Sequence, residues 1–389
     1  MIIRNATKED IGPFNKLASY CFGDPFGDHS LYDEIFDLEN TKIVEEAGKL
    51  VGGYTLYPFE MTYCDTKAKM GGLSCVVMDV NARYDGNAKR MLTEMISDMY
   101  KKDYVFSTLG AFNFGFYRKL GWEIAYDKMW YQADIELFKP YITHEYEINK
   151  YYKLPSDEVA QLQNEFSKRY NGYIPRDREY WPIFEKILDD GKYLTAIISK
   201  DGSAEGYIIY NLSDKKFNIR EIVYSNIDSL KALFGFIYRH NAQRNKVTMK
   251  VPCDFPLRLL VDDLYKVEAK LEPFMMNRII DIKKAFELGE YPNIGEHSLS
   301  IKISDPVADW NDGVWHLYLS QGNIRAEKGS ADDNFDATIS IQELSRMIIG
   351  YASGKELLDI AKINAATQEA RDFICEVFNK KPTYINNMY

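Results

Sequence analysis

The stretch "LSCVVMDVNARYDGNAKRMLTEMISDMY", residues 73–100, constrains the fold more than any other part of the chain. An apolar run, Leu73 to Val80, hands over through Arg83-x-x-Gly86-x-Ala88 to a long segment. In that segment Ala88, Met91, Leu92, Met95, Ile96 and Met99 recur at intervals of three and four, the spacing of one apolar stripe on a helix. The order is strand, glycine-bearing turn, amphipathic helix. A helix start carries four backbone N–H groups without partners and the positive end of the helix dipole. An anion docks there readily. Gly86 and Ala88 keep side chains out of the way, and Arg83, Lys89 and Arg90 add positive charge. Neither G-x-x-x-x-G-K-[ST] nor G-x-G-x-x-G after a strand is present, so a nucleoside triphosphate or dinucleotide site is not supported.

The segments around this motif alternate in the same way. Residues 1–135 read as an α/β unit: the strand "IIRNAT", the helix "KEDIGPFNKLASYCFG", a string of strands broken by glycine turns, the motif helix, and the strand "DYVFSTL". Residues 146–285 repeat that order, with helices in "DEVAQLQNEFSKRY" and "DREYWPIFEKILDD", a hairpin turning at Asp201-Gly202, the strand "IREIVY", the helix "SLKALFGFIYRHNAQR" and the strand "KVTMKV". Where the motif would fall, this second unit reads "SNIDSLKAL", with neither glycine nor arginine. If the fold is duplicated, only the first copy keeps a phosphate cradle. Residues 286–389 differ. "HSLSIKISD", "VWHLYLSQGNIRAEK" and "FDATISI" alternate apolar and polar residues as half-buried strands do. The helices "QELSRMIIGYASG", "KELLDIAKI" and "TQEARDFICEVFN" surround them, before an irregular tail "KKPTYINNMY".

Composition narrows the function classes. A chain of 389 residues with 46% hydrophobic content can bury more than one core. A net charge of −10 argues against a nucleic-acid partner. The five cysteines (Cys21, Cys64, Cys75, Cys253, Cys375) are odd in number and lack C-x-x-C spacing, which indicates neither a zinc site nor a disulfide framework. "MIIRNATKED" lacks the apolar stretch of a signal peptide, and no run of about 18 apolar residues exists. The expectation is a cytoplasmic protein without a membrane partner. The five histidines do not cluster at ligand spacing, and G-x-S-x-G and H-E-x-x-H are absent, so no metal is expected.

"VVMDVNARYDGNAKRML" resembles the acetyl-CoA signature of the GNAT acetyltransferases, R/Q-x-x-G-x-G/A, and "GFYRKLGW" resembles their F-Y-x-x-x-G-F/W element. The amino-terminal "IIRNATKEDIGPFNKLASYCFG" is similar to the family's first strand and helix. The whole chain resembles the Eis (enhanced intracellular survival) group. That resemblance implies an α/β (α+β) fold of two tandem GNAT domains, the second degenerate, followed by a sterol-carrier-protein-like α+β domain. Domain limits of 1–140, 141–285 and 286–389 follow. It implies acetyl-CoA as co-substrate, held by the backbone of Val76, Val77 and Met78 and by a cradle of Arg83, Tyr84, Asp85, Gly86, Asn87, Ala88 and Lys89. Asp85 departs from the pattern by placing an acid in a loop meant for anions.

Transfer of an acyl group to an amine requires a proton acceptor for the ammonium and a proton donor for the leaving thiolate. The resemblance implies Tyr117, in "GFYRKLGW", as the acid. A phenol with a reference pKa near 10 stays protonated at neutral pH. It implies the α-carboxylate of Tyr389 as the base, its tail anchored through Tyr384, Ile385 and Met388. A carboxylate is a poor base in water, and burial strengthens it. The loop after the first helix lines the family's acceptor pocket, which implies Phe22, Asp24 and His29 as substrate-binding residues. Asp24, Asp28 and Asp33 give that loop negative charge, which suits an aminoglycoside-, polyamine- or lysine-like amine. Self-association, hexameric in the family, is also implied. The competing readings are a lipid-binding or scaffold protein with a decayed GNAT part, and a tandem-GNAT aminoacyl transferase. The sequence does not name the amine, nor how many amines are modified.

Overall fold

The computed structural model describes residues 1–26, 36–83, 85–176 and 180–387. The chain forms two compact units. It leaves the first after Ala125, re-enters it at Met275, and gives Pro382–Asn386 to the second before Asn387 returns to the first.

In the first unit the strands are β1 (Ile2–Asn5), β2 (Thr41–Glu46), β3 (Lys49–Tyr63), β4 (Thr66–Met78) and β5 (Phe106–Leu109). They pair in that order, antiparallel except for β4 and β5, which run parallel. Two helices connect or cover them: α1 (Ile11–Phe22) and α2 (Asn87–Lys101). The apolar stripe read on α2 is its buried face, with Met91, Leu92, Met95, Ile96 and Met99 within 1% of full burial. Strand, helix and parallel strand make one βαβ crossover, which is the reason a long connection is needed at this point. A short helix, α3 (Phe114–Arg118), follows β5.

The second unit repeats the scheme. Its strands are β6 (Glu123–Asp134, which begins in the first unit), β7 (Glu147–Tyr151), β8 (Leu194–Lys200), β9 (Ser203–Asn211), β10 (Lys216–Tyr224) and β11 (Lys246–Val251). The order β6-β11-β10-β9-β8-β7 again has one parallel pair, β10 with β11. The helices are α4 (Ser156–Ser167), α5 (Tyr180–Asp190) and α6 (Ile227–Tyr238). The expected hairpin forms at Asp201-Gly202, both residues having positive φ, as that turn requires. The helix read as reaching Arg244 stops at Tyr238. Residues after it bond in short-range turns, His240 N–H to Ile237 O and Gln243 N–H to His240 O, because "RHNAQR" has no apolar face left to bury.

Within the first unit the chain after β12 (Val267–Ile279) adds α7 (Ile282–Glu287) and a second sheet of five strands. These are β13 (His297–Ser304), β14 (Gly313–Ser320), β15 (Asn323–Lys328), β16 (Ala337–Ser340) and β17 (Ile363–Ala365). The helices α8 (Ile341–Ile348), α9 (Gly354–Asp359) and α10 (Gln368–Val377) pack with it. The segment "KELLDIAKI", read as one helix, ends at Asp359, and Ile363 opens β17 instead. Ala361 has φ 56°, a left-handed residue that breaks the helix. This region is joined to the GNAT-like sheet by buried polar contacts. Arg278 and Asp305, both with side chains fully buried, form a two-toothed ion pair at 2.7 and 3.0 Å, and Arg278 also donates to Leu120 O at 2.6 Å. Tyr100 stacks on Trp310 with ring centres 4.5 Å apart.

Candidate acetyl-CoA site

Two features of the first unit shape the candidate site from backbone. The first is a departure of strands. β4 pairs with β5 only from Met70 to Leu73, while β4 itself runs on to Met78. Past Leu73, β4 carries backbone polar groups that its parallel neighbour does not use. A bulge sits there: between Thr55↔Ser74 and Gly53↔Val77, β3 spends one residue and β4 two. Cys75 in the bulge has φ 47°, and bulges re-aim a strand where function needs it. Gly52 lets β3 and β4 approach this closely, since a Cβ there would stand 2.8 Å from Val77 O, and Gly53 does the same toward β2, where a Cβ would stand 2.3 Å from Lys42 O. The bulge has no glycine of its own, so the paired glycines Gly52 and Gly53 across from it are the sequence signal that sequence reasoning overlooked.

The second feature is the start of α2. Its N-cap is Gly86, with φ 77° and no side chain to bond the first-turn N–H groups. Space is not what demands glycine here, because a Cβ would meet nothing within 4 Å. The left-handed backbone demands it. Asp85 is exposed, so the acid that departed from the motif is solvated. Asn87 donates to Ala82 O at 3.2 Å and ties the turn together. Arg83 does the same: its Nε donates to Met78 O at 3.0 Å and its Nη2 reaches Cys21 Sγ at 3.5 Å. Part of its guanidinium therefore fastens the cradle to the end of β4. Arg90 pairs with Glu94 at 3.0 Å, and Lys89 is exposed.

The second unit shows what a closed helix start looks like. There α6 begins with Asn226, whose side chain accepts from Asp228 N–H and Ser229 N–H. Ser229 returns a bond to Asn226 N–H at 3.1 Å, completing a capping box. The donors that an anion would use are already satisfied, and Asp228 adds negative charge in the first turn. Beyond its pairing with β11, β10 carries the buried Glu221, gripped by Arg176 at 2.5 and 2.9 Å and by the Tyr207 hydroxyl. "SNIDS" carries the capping signature, and sequence reasoning noted only its missing glycine.

Tyr117 lies on α3, whose N-cap Asn113 accepts from Phe116 N–H at 3.1 Å. It is 2% exposed and belongs to the buried cluster of Leu73, Met78, Ala82 and Leu92, with Val76 and Ala88 packed against it. Tyr117 thus shares one buried cluster with residues of the strand end and the turn before α2. Phe116 and Phe112 meet its ring edge-on at 5.1 and 5.6 Å. Burial pushes its phenol above the usual range, so it holds its proton at neutral pH. Val77 faces the other side of the sheet, in a cluster with Phe14, Ala18 and Ile43. Phe22, 62% exposed, and Asp24, exposed, end α1 at the left-handed Gly23. Tyr84, His29, Met388 and Tyr389 lie outside the described residues. Among the described residues no cluster of His, Cys, Asp and Glu could hold a metal, and no helix is long and apolar enough to cross a membrane.

Tyr384 and Ile385, the tail anchors, are buried. Within the second unit Tyr384 packs on Tyr170 and Tyr173 at 5.6 and 5.9 Å between ring centres. Its N–H donates to Asn171 O at 3.0 Å, and Asn386 bonds both the N–H and the carbonyl of Ile174. The tail is therefore held through Asn386.

Comparison with known proteins bears on the fold. Residues 2–125 and 172–279 each match a family described as Acetyltransferase (GNAT) domain, and residues 282–386 match the Sterol carrier protein domain. No curated protein matches the chain in sequence. Among solved structures, a GCN5-related N-acetyltransferase from Anabaena variabilis has 22% identity and a TM-score of 0.90, with 100% of each chain covered. A probable N-acyltransferase from Enterococcus faecalis has 21% identity and a TM-score of 0.90, covering 100% of this chain and 99% of that one. Eis1 from Mycobacterium abscessus has 15% identity and a TM-score of 0.84, with 100% of each chain covered. At these identities the likeness is one of fold. The chain is an acetyltransferase of the GNAT type, two GNAT domains followed by a sterol carrier protein domain.

Proposed function

We propose that the protein is an Eis-type N-acetyltransferase that moves the acetyl group of acetyl-CoA directly onto a primary amine, aminoglycoside-, polyamine- or lysine-like. The observation that carries the reading is the contrast between the two helix starts: Gly86 leaves the first open, and Asn226 closes the second. The cradle from Arg83 to Lys89 takes the pyrophosphate, with Gly86, Asn87 and Ala88 presenting N–H groups. The backbone of Val76, Val77 and Met78 holds the pantetheine arm beside the bulge.

The amine attacks the thioester carbonyl, its proton passes to a base, and the sulfur leaves as a thiol. Tyr117 supplies the proton to sulfur. A phenol is protonated at neutral pH even without burial; what supports the role is that Tyr117 belongs to the buried cluster that also holds Leu73, Met78 and Ala82. The α-carboxylate of Tyr389 is the proposed acceptor. The ordered tail through Asn386 supports it, since a frayed end would not position a base. Phe22, Asp24 and His29 are the proposed acceptor-pocket residues, and exposed acid at Asp24 suits a cationic amine. The fold shared with Eis1 along the whole chain supports the Eis-type assignment; domain limits near 140 and 285 and a homo-oligomeric assembly are part of the same proposal.

The test is to append one residue after Tyr389, or to remove Tyr389, and assay acetyl transfer to a panel of polyamines and aminoglycosides. Turnover is expected to be lost while acetyl-CoA binding survives. Full turnover by the extended chain would refute the role of the terminal carboxylate.

A further inference from the structure

Acetyl transfer makes no use of one pair of reactive side chains, Cys64 and Lys381. Cys64 sits in the turn between β3 and β4 with φ 51°, a left-handed conformation uncommon for a residue with a side chain. Lys381 Nζ donates to Cys64 Sγ at 2.9 Å and to Glu290 O at 2.7 Å. Glu290 N–H points at the same sulfur from 3.4 Å. The other end of the lysine is fixed too. Lys381 N–H donates to Gly350 O at 3.0 Å, and a Cβ on Gly350 would stand 2.6 Å from the Lys381 Cβ. The amine is thus held against the sulfur by contacts at both ends of its side chain. Both residues are half-buried, so a small oxidant reaches them. Among the five cysteines, Cys64 is the one whose sulfur accepts from a lysine.

We propose that Cys64 and Lys381 are a modification site at which a hydroperoxide drives formation of a covalent sulfur–nitrogen cross-link. In the first step the Cys64 sulfur attacks the peroxide. An S–O bond forms, the O–O bond breaks, and the thiol proton leaves with the departing oxygen as water or alcohol. Sulfur is oxidised by two electrons and the peroxide is reduced by two. In the second step the neutral Lys381 amine attacks the sulfenic sulfur. An S–N bond forms, the S–O bond breaks, and the hydroxyl leaves as water with one nitrogen proton. Sulfenic acids condense in this way with a nitrogen already at hand, and the geometry supplies that nitrogen. Lys381 is also the last residue of the first unit before the chain passes to the second at Pro382. The bond fastens the β3–β4 turn to the point from which the tail departs. It does so whatever the role of Tyr389.

The experiment treats the full-length protein with a small excess of hydrogen peroxide, without thiols, and maps its peptides by mass spectrometry. The expected product is a joined peptide containing Cys64 and Lys381, about 2 Da lighter than the sum of its parts for two lost hydrogens. Dithiothreitol should separate it. Cys64→Ser should not form it. Lys381→Arg should instead accumulate a Cys64 sulfenic acid that dimedone traps. Two results in the wild-type protein would overturn the proposal. Cys64 persisting as a thiol would do so. So would dimedone labelling of wild type as extensive as that of Lys381→Arg, with no joined peptide.

Discussion

Two residues show how burial sets a proton at the scale of single side chains. Tyr117, the proposed acid, is buried among apolar groups that push its phenol up, so it is neutral in the folded protein and its burial costs nothing in charge. Tyr117→Phe keeps the ring and the packing and removes the donor. It should lower kcat by about 10²-fold with little change in KM for acetyl-CoA, measured by thiol release. Lys128 shows the reverse. It is 9% exposed, on β6, with its Nζ over the Phe274 ring at 3.6 Å and the Tyr384 ring at 5.4 Å. Burial, with Arg220 next and Lys250 and Arg176 behind it, outweighs Glu221 and pushes its ammonium down to about 7. Between pH 7 and the ordinary 10.5 the unfolded lysine binds a proton that the folded one lacks. Stability therefore rises with pH across that window, and is lowest in this respect at and below 7. Lys128→Met removes a penalty of up to ~5 kcal/mol at neutral pH. The variant should have a higher urea midpoint at pH 7 than wild type, and a flatter rise toward alkaline pH. A lower midpoint at pH 7 would contradict this.

At the scale of elements, a helix start is either closed by its own side chains or left for a ligand. α2 and α6 follow equivalent strands, yet one is capped by glycine and the other by an asparagine–serine box. Asn226→Ala should lower stability by about 1 kcal/mol and leave acetyl-CoA binding untouched, which denaturation and titration of the same variant would check. Much of this level was legible in the sequence. The stripe from Ala88 to Met99 announced α2, and the strand–turn–helix order announced the crossover. What was not legible depends on contacts far apart in sequence. The bulge at Cys75 is set by pairing with β3, some twenty residues earlier. The return of Arg83 to Met78 O turns a residue read as a phosphate ligand into a brace as well. Helix ends were overrun at Arg244 and Ile363, because local composition does not reveal where burial stops.

At the scale of the molecule, the two GNAT units share a scheme and differ in how they fill it. Both GNAT units keep the parallel pair and its crossover helix. The second has filled the equivalent region with the Arg176–Glu221 pair and, through Tyr384, holds the tail. The order of three domains was readable from repeated patterns. The tail's bonds to Asn171 and Ile174 were not, since only the fold brings residues 384–386 to that helix end. The account stands or falls on there being one working cradle. The most direct measurement is a calorimetric titration of acetyl-CoA into wild type and Gly86→Asp. Aspartate at φ 77° strains the cap and sets a negative charge at the proposed phosphate cradle. The account predicts one acetyl-CoA bound per chain in wild type and none in Gly86→Asp. Two bound per wild-type chain, or equal binding by the variant, would contradict it.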